Sequence, residues 1–121
     1  MAKTRKKKLK NNKSTVFVDV DGTLIKWKNQ NNAKINEKLV FRIKEAKSEG
    51  VEFVLWSRRG AIYAERVADH YSIKNLFVAI VAKPTAIIDD EGLNWLKGVR
   101  LNPGVTHDQF GGVVGWFEDQ D

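Results

Sequence analysis

An α/β chain with a mainly parallel sheet is what this sequence predicts, and three observations predict it. Short aliphatic and β-branched runs at residues 15–18, 51–56, 77–81 and 85–88 have the composition of buried strands. Between the first two runs, Ile35, Leu39, Val40, Ile43 and Ala46 recur at helical spacing. After the second run, Ile62, Val67 and Tyr71 mark one side of another helix over 60–71. Strands that alternate with helices point to a parallel sheet with helical crossovers.

Each element has its own signals. The first strand covers about 15–20 and ends in two acids. Residues 25–34 are polar and Asn-rich and predict an exposed loop or a short hairpin flap. The first helix starts at Asn36, a good N-cap, and stops at Gly50, a good residue just past a C-cap. Residues 51–56 form the second strand, which closes on Ser57, Arg58, Arg59 and Gly60. A third strand over 77–81 and a fourth over 85–88 follow, the fourth ending at Asp89 and Asp90. A short helix is expected around 91–97, and 113–117 reads as an edge strand. One spacing conflicts with this order. About three residues separate the third and fourth strands, whereas a parallel crossover takes roughly a dozen. Either the third strand is a very short edge element or the boundaries differ.

Bulk properties bound the molecule. A length of 121 residues suits one domain, taken as 15–121, and 42% hydrophobic residues support an ordinary core. No apolar stretch approaches the ~18 to 20 residues that span a bilayer, and the basic N-terminus lacks the apolar segment of a secretory signal. The absence of cysteine excludes disulfides and thiolate metal sites, and fits a cytoplasmic protein. The net charge of +6 is unevenly spread. Residues 1–14 hold seven Lys or Arg and no acid, leaving 14 basic against 15 acidic residues in the body. Such a tail cannot bury enough apolar surface to fold and is expected to be disordered. It could hold nucleic acid electrostatically or simply be a solvated extension.

Chemistry concentrates where the first strand ends. Asp19 and Asp21 would project at the rim of the sheet, where open parallel sheets place their ligand sites. One carboxylate can serve as nucleophile or metal ligand and the other as acid/base. Asp19-Val20-Asp21-Gly22-Thr23-Leu24 after an apolar strand resembles the first motif of the haloacid dehalogenase superfamily. Ser57, closing the second strand, is similar to the family's second motif, and Lys83 to its cationic third. Asp89 and Asp90 resemble the fourth, acidic motif. The four occur in family order across roughly residues 15–92.

The resemblance implies a three-layer Rossmann-like core and a Mg²⁺-dependent phosphomonoesterase acting through an aspartyl-phosphate. In that scheme Asp19 attacks phosphorus, Asp21 is the acid/base, and Asp19, Asp21, Asp89 and Asp90 form the metal set. Ser57 and Lys83 hold the phosphoryl oxygens, Gly22 turns the chain beside them, and Thr23 braces the loop. The run Trp56-Ser57-Arg58-Arg59-Gly60 is similar to that of small capless members, so Arg58 and Arg59 are candidate anion contacts. The intervals between motifs, about 33 and 25 residues, leave no room for a cap domain. An open site suits a large substrate, such as a nucleic-acid end or a phosphoprotein, or closure by a neighbouring subunit; a nucleotide is a further candidate substrate. His70 and His107 lack metal-ligand spacing and are taken as structural or surface residues. Trp27, Trp95 and Trp116 are expected to pack rather than to stack on bases, although Trp27, between two lysines of the flap, is also a candidate substrate contact. The competing class is a non-catalytic module of the same fold that binds nucleic acid through its basic tail.

Overall fold

The computed structural model describes residues 14–96, so the basic tail and the edge strand expected over 113–117 lie outside the described residues. Strand β1 (Thr15–Asp19) is followed by a hairpin of β2 (Ile25–Asn29) and β3 (Asn32–Ile35), then helix α1 (Glu37–Ser48). Strand β4 (Glu52–Ser57), helix α2 (Ala61–His70), a single 3-10 turn (Lys74–Leu76) and strand β5 (Ala79–Ala82) complete the order. The sheet runs β1-β4-β5, all parallel, and the hairpin stands apart from it as a two-stranded flap. This is a small α/β, Rossmann-like architecture. The motif intervals hold only the flap, the two helices and β5, so no cap is inserted among the described residues.

Local chemistry explains the boundaries. Asn36 caps α1, its side-chain oxygen accepting from Leu39 N at 3.1 Å. Gly50, at φ +101°, ends it: Gly50 N donates to Lys47 O and Val51 N to Ala46 O, which satisfies the last carbonyls. β4 is the central strand, and its Phe53 and Leu55 are fully buried. Around them gather Val18 and Val20, Leu39, Ile43 and Ala46 of α1, and Ala64 and Ala68 of α2. Both helices thus feed one core cluster, and the described residues do not build a third layer on the other face. There Phe17 meets Trp56 edge-on at 4.5 Å and stays half exposed.

Three expectations need correction. Ile62, placed on the packed side of α2, is exposed, and the buried residues are Ala64 and Ala68. Small side chains let the helix approach the sheet, and alanine gives a weak hydrophobic signal. No strand forms over 85–88, where Ile87 and Ile88 are exposed. β5 runs to Ala82, which leaves too little chain to cross over into another parallel strand. In place of the helix expected around 91–97, the described part up to residue 96 is a series of i to i−3 turns, such as Gly92 N to Asp89 O and Leu96 N to Leu93 O.

Candidate active site

Parallel strands put their carboxyl ends on one edge, and here three adjacent strands end in candidate residues. The register pairs Asp19 with Trp56 and Ser57 with Ala82, so Asp19, Ser57 and Lys83 reach the rim within one residue of each other. Lys83 N extends the ladder by donating to Ser57 O at 2.9 Å. The turn after β1 is anchored by Val20 and Leu24, both fully buried. Leu24 N donates to Asp19 O and Ile25 N to Val20 O, closing the loop tightly. Gly22 sits at φ +85°, a backbone state that side-chain-bearing residues adopt only at a cost. With Val20 and Leu24 pulled inward, Asp19 and Asp21 stay half-buried at the surface.

Asp19 is flanked by Lys83 and Thr23. Lys83 Nζ lies 3.5 Å from its Oδ1, and the Thr23 hydroxyl donates to its Oδ2 at 3.4 Å. Lys83 also sits 5.7 Å from the centre of the Trp56 ring. Ser57 is buried at the end of β4, and its Oγ accepts from Arg59 N at 3.0 Å. It therefore shapes the turn into α2 while keeping its own hydrogen to donate. Arg58 is exposed beside it.

Asp21 is held more firmly than its neighbour. Its Oδ1 accepts from the Tyr63 hydroxyl at 2.6 Å and from the Trp27 indole at 3.0 Å. The Arg59 guanidinium stands 3.7 Å from Oδ2 and 3.9 Å over the Tyr63 ring. Burial, and next the bond to the Asp21 carboxylate, push the Tyr63 hydroxyl up to about 12. The phenol is thus a locked donor at ordinary pH. Tyr63 escaped the sequence reading because it lies 42 residues from Asp21. The one available signal was its place in the first turn of a helix that begins at the rim.

Asp89 and Asp90 occupy the exposed turn after β5 rather than the end of a strand, and Asp89 Oδ1 accepts from Glu91 N at 2.8 Å. Among the described residues, no three His, Cys, Asp or Glu side chains gather to hold a metal ion. The donors at the rim are nonetheless carboxylate oxygens, the ligand type of a hard cation, and Mg²⁺ commonly takes one or two of them and keeps its waters. The Asp19 carboxylate fits that requirement, with the main-chain carbonyl of Asp21 as the second protein oxygen. An open cleft of about 480 Å³ adjoins Asp21 and is lined by Trp27, Asn29, Gln30 and Arg59 as well. No helix among the described residues is long and apolar enough to cross a membrane.

The carboxyl edge of a parallel, Rossmann-like sheet thus carries an acid pair, a cation and a hydroxyl. A family model of haloacid dehalogenase-like hydrolases matches residues 16–102, most of the chain, and the protein belongs to that family. Comparisons with curated proteins and with solved structures return no match.

Proposed function

We propose that this protein is a Mg²⁺-dependent phosphomonoesterase in which Asp19 is the nucleophile. The observation that carries the reading is the Asp19 carboxylate at the end of β1, with Lys83 at 3.5 Å and a firmly held second acid two residues on. Asp19 attacks phosphorus as the ester P–O bond breaks, giving an aspartyl-phosphate. Asp21 gives its proton to the departing oxygen, then takes one from the water that attacks the aspartyl-phosphate. Inorganic phosphate leaves and the Asp19 carboxylate is restored.

The division of labour within Asp21 favours this role. Tyr63 and Trp27 occupy Oδ1, so Oδ2 is the oxygen left to carry the proton. Arg59 reaches Oδ2 only at 3.7 Å through a side chain that is 58% exposed. Such an exposed pair is weak, and the guanidinium can turn to a substrate anion, which frees Oδ2 for protonation. Lys83 and Ser57 would hold the equatorial oxygens, with Arg58 at the margin and Thr23 bracing Asp19. The Asp19 carboxylate and the Asp21 main-chain carbonyl would hold Mg²⁺, which when bound would offset charge on the phosphoryl oxygens.

The test is turnover of phosphate monoesters by Asp19→Asn, expected to fall by at least about a thousandfold with the thermal melt retained. Chelation by EDTA should abolish wild-type turnover and Mg²⁺ restore it. Substantial hydrolysis by the Asp19→Asn protein removes the assignment.

A further inference from the structure

The cleft beside Asp21 has a composition that the chemistry at Asp19 does not require. We infer that it is the leaving-group subsite and that it takes a nucleobase, which makes the substrate a nucleoside phosphate. This rests on the reading of Asp19 and Asp21 as nucleophile and acid. Asp21 belongs both to the catalytic pair and to the cleft wall, so a group bonded to the departing oxygen lies on the cleft side. The cleft is open, with a volume of about 480 Å³, so a planar group can lie against its wall without being enclosed.

The lining selects among leaving groups. Trp27 spends its indole N–H on Asp21 at 3.0 Å, which fixes the ring, yet the residue remains 45% exposed. A fixed, exposed indole is a stacking platform, and every base has a π-face to offer it. Asn29 uses its side-chain oxygen on Asn31 N and Asn32 N in the hairpin turn, so its amide N–H₂ is what it can present to a ligand. Gln30, exposed at the same turn, adds both an amide donor and an acceptor. Arg59 supplies a cation over an aromatic ring at the inner end. A polyol phosphate has no use for the platform, and a plain aryl phosphate has none for the amides. A heterocycle with acceptors along its edge, joined to a phosphate, uses all of them.

Two measurements on the full chain decide this. The first is binding to the Asp19→Asn protein, which cannot turn substrate over, followed by the indole N–H resonance of Trp27, identified by its loss in Trp27→Phe. A nucleoside monophosphate should move that resonance, and glycerol 2-phosphate should not. The second is the ratio of kcat/KM for the nucleotide to that for glycerol 2-phosphate. Trp27→Ala should lower the ratio by ~5- to 150-fold, the range of one base–aromatic stack. Trp27→Phe, which keeps a ring but loses the bond to Asp21, should leave the ratio within about threefold. Equal binding of the two ligands, or a ratio unmoved in Trp27→Ala, overturns the subsite. Trp27-dependent binding without wild-type turnover of any ester would instead remove the phosphatase reading and leave a nucleotide-binding cleft. Running mononucleotides beside 3′- and 5′-phosphorylated oligonucleotides identifies the source of the base. Tighter Trp27-dependent binding of an oligonucleotide assigns a strand end, and equal binding a free nucleotide.

Discussion

Asp19 and Asp21 share a turn but not an environment, and the difference comes from residues far away in sequence. Asp19 has a long contact to Lys83 and another to Thr23, both able to yield to a phosphoryl group. Asp21 is tied to Tyr63 by a short bond, and that bond is measurable. A phenol whose folded-state titration is raised from 10.0 to about 12 holds its proton after an unfolded chain would have lost it. Its contribution to stability is therefore complete below pH 10 and is lost as pH rises towards 12. In an alkaline absorbance titration, Tyr63 should ionise later than an ordinary tyrosine. Asp21→Asn should bring it down part of the way, because burial is the larger cause and remains. Unchanged titration in Asp21→Asn would mean that the bond does not hold in solution. At this scale the sequence was informative where chemistry is local. The acid pair, Gly22 at its turn and Thr23 beside Asp19 were all legible within six residues. Tyr63 was not, since no spacing rule links a helix residue to a carboxylate across the fold.

Elements with both a pattern and a stop signal were read closely from the sequence, and those with one alone were not. Helix α1 had a five-residue apolar period, Asn36 before it and Gly50 after it, and its bounds are Glu37–Ser48. Residues 85–88 had only an apolar run, too short to distinguish a strand from an exposed segment. The deciding fact was the gap before them, a constraint on connections rather than on composition. The consequence for the site is direct, because Asp89 and Asp90 lost the strand that was to carry them to the rim. Asn36 shows how an element boundary also serves the chemistry. Besides capping α1, its backbone N donates to Leu24 O at 2.7 Å and its amide to Thr23 O at 3.4 Å. Asn36→Ala should cost about 1 kcal/mol, the usual loss for an N-cap, and should also lower kcat by loosening the loop behind Asp19. Asn36→Asp keeps the acceptor and should recover most of the stability. Chemical denaturation with parallel turnover assays separates the two effects, and a kcat loss in Asn36→Asp as large as in Asn36→Ala would assign the activity effect to the lost amide bond.

For the whole molecule, the balance of charge makes the two proposed functions, ester hydrolysis and polyanion binding, separable. Residues 1–13 carry seven positive charges and no acid, more than the whole net charge of +6, while the proposed catalytic rim draws on residues from Asp19 onward. Ser14 marks the natural division, because its carbonyl accepts from Glu52 N at 2.7 Å and extends the pairing of β1 with β4. Deletion of residues 1–13 should therefore leave the fold and the hydrolysis of small phosphate esters unchanged. Affinity for long single-stranded oligonucleotides should fall, and so should its dependence on salt. Single strands release roughly 0.7 counterions per phosphate neutralised, so seven cations in contact would give a slope near −5 in log affinity against log salt. Loss of most of that slope on truncation, with kcat/KM for a mononucleotide preserved, would make the tail a tether that concentrates a polyanionic substrate at an open site. A slope that survives truncation would move the polyanion contacts to the body, where the lysines of the flap are the nearest source. Loss of small-ester turnover on truncation would contradict the separation itself, since it would require the tail to act within the rim rather than beside it.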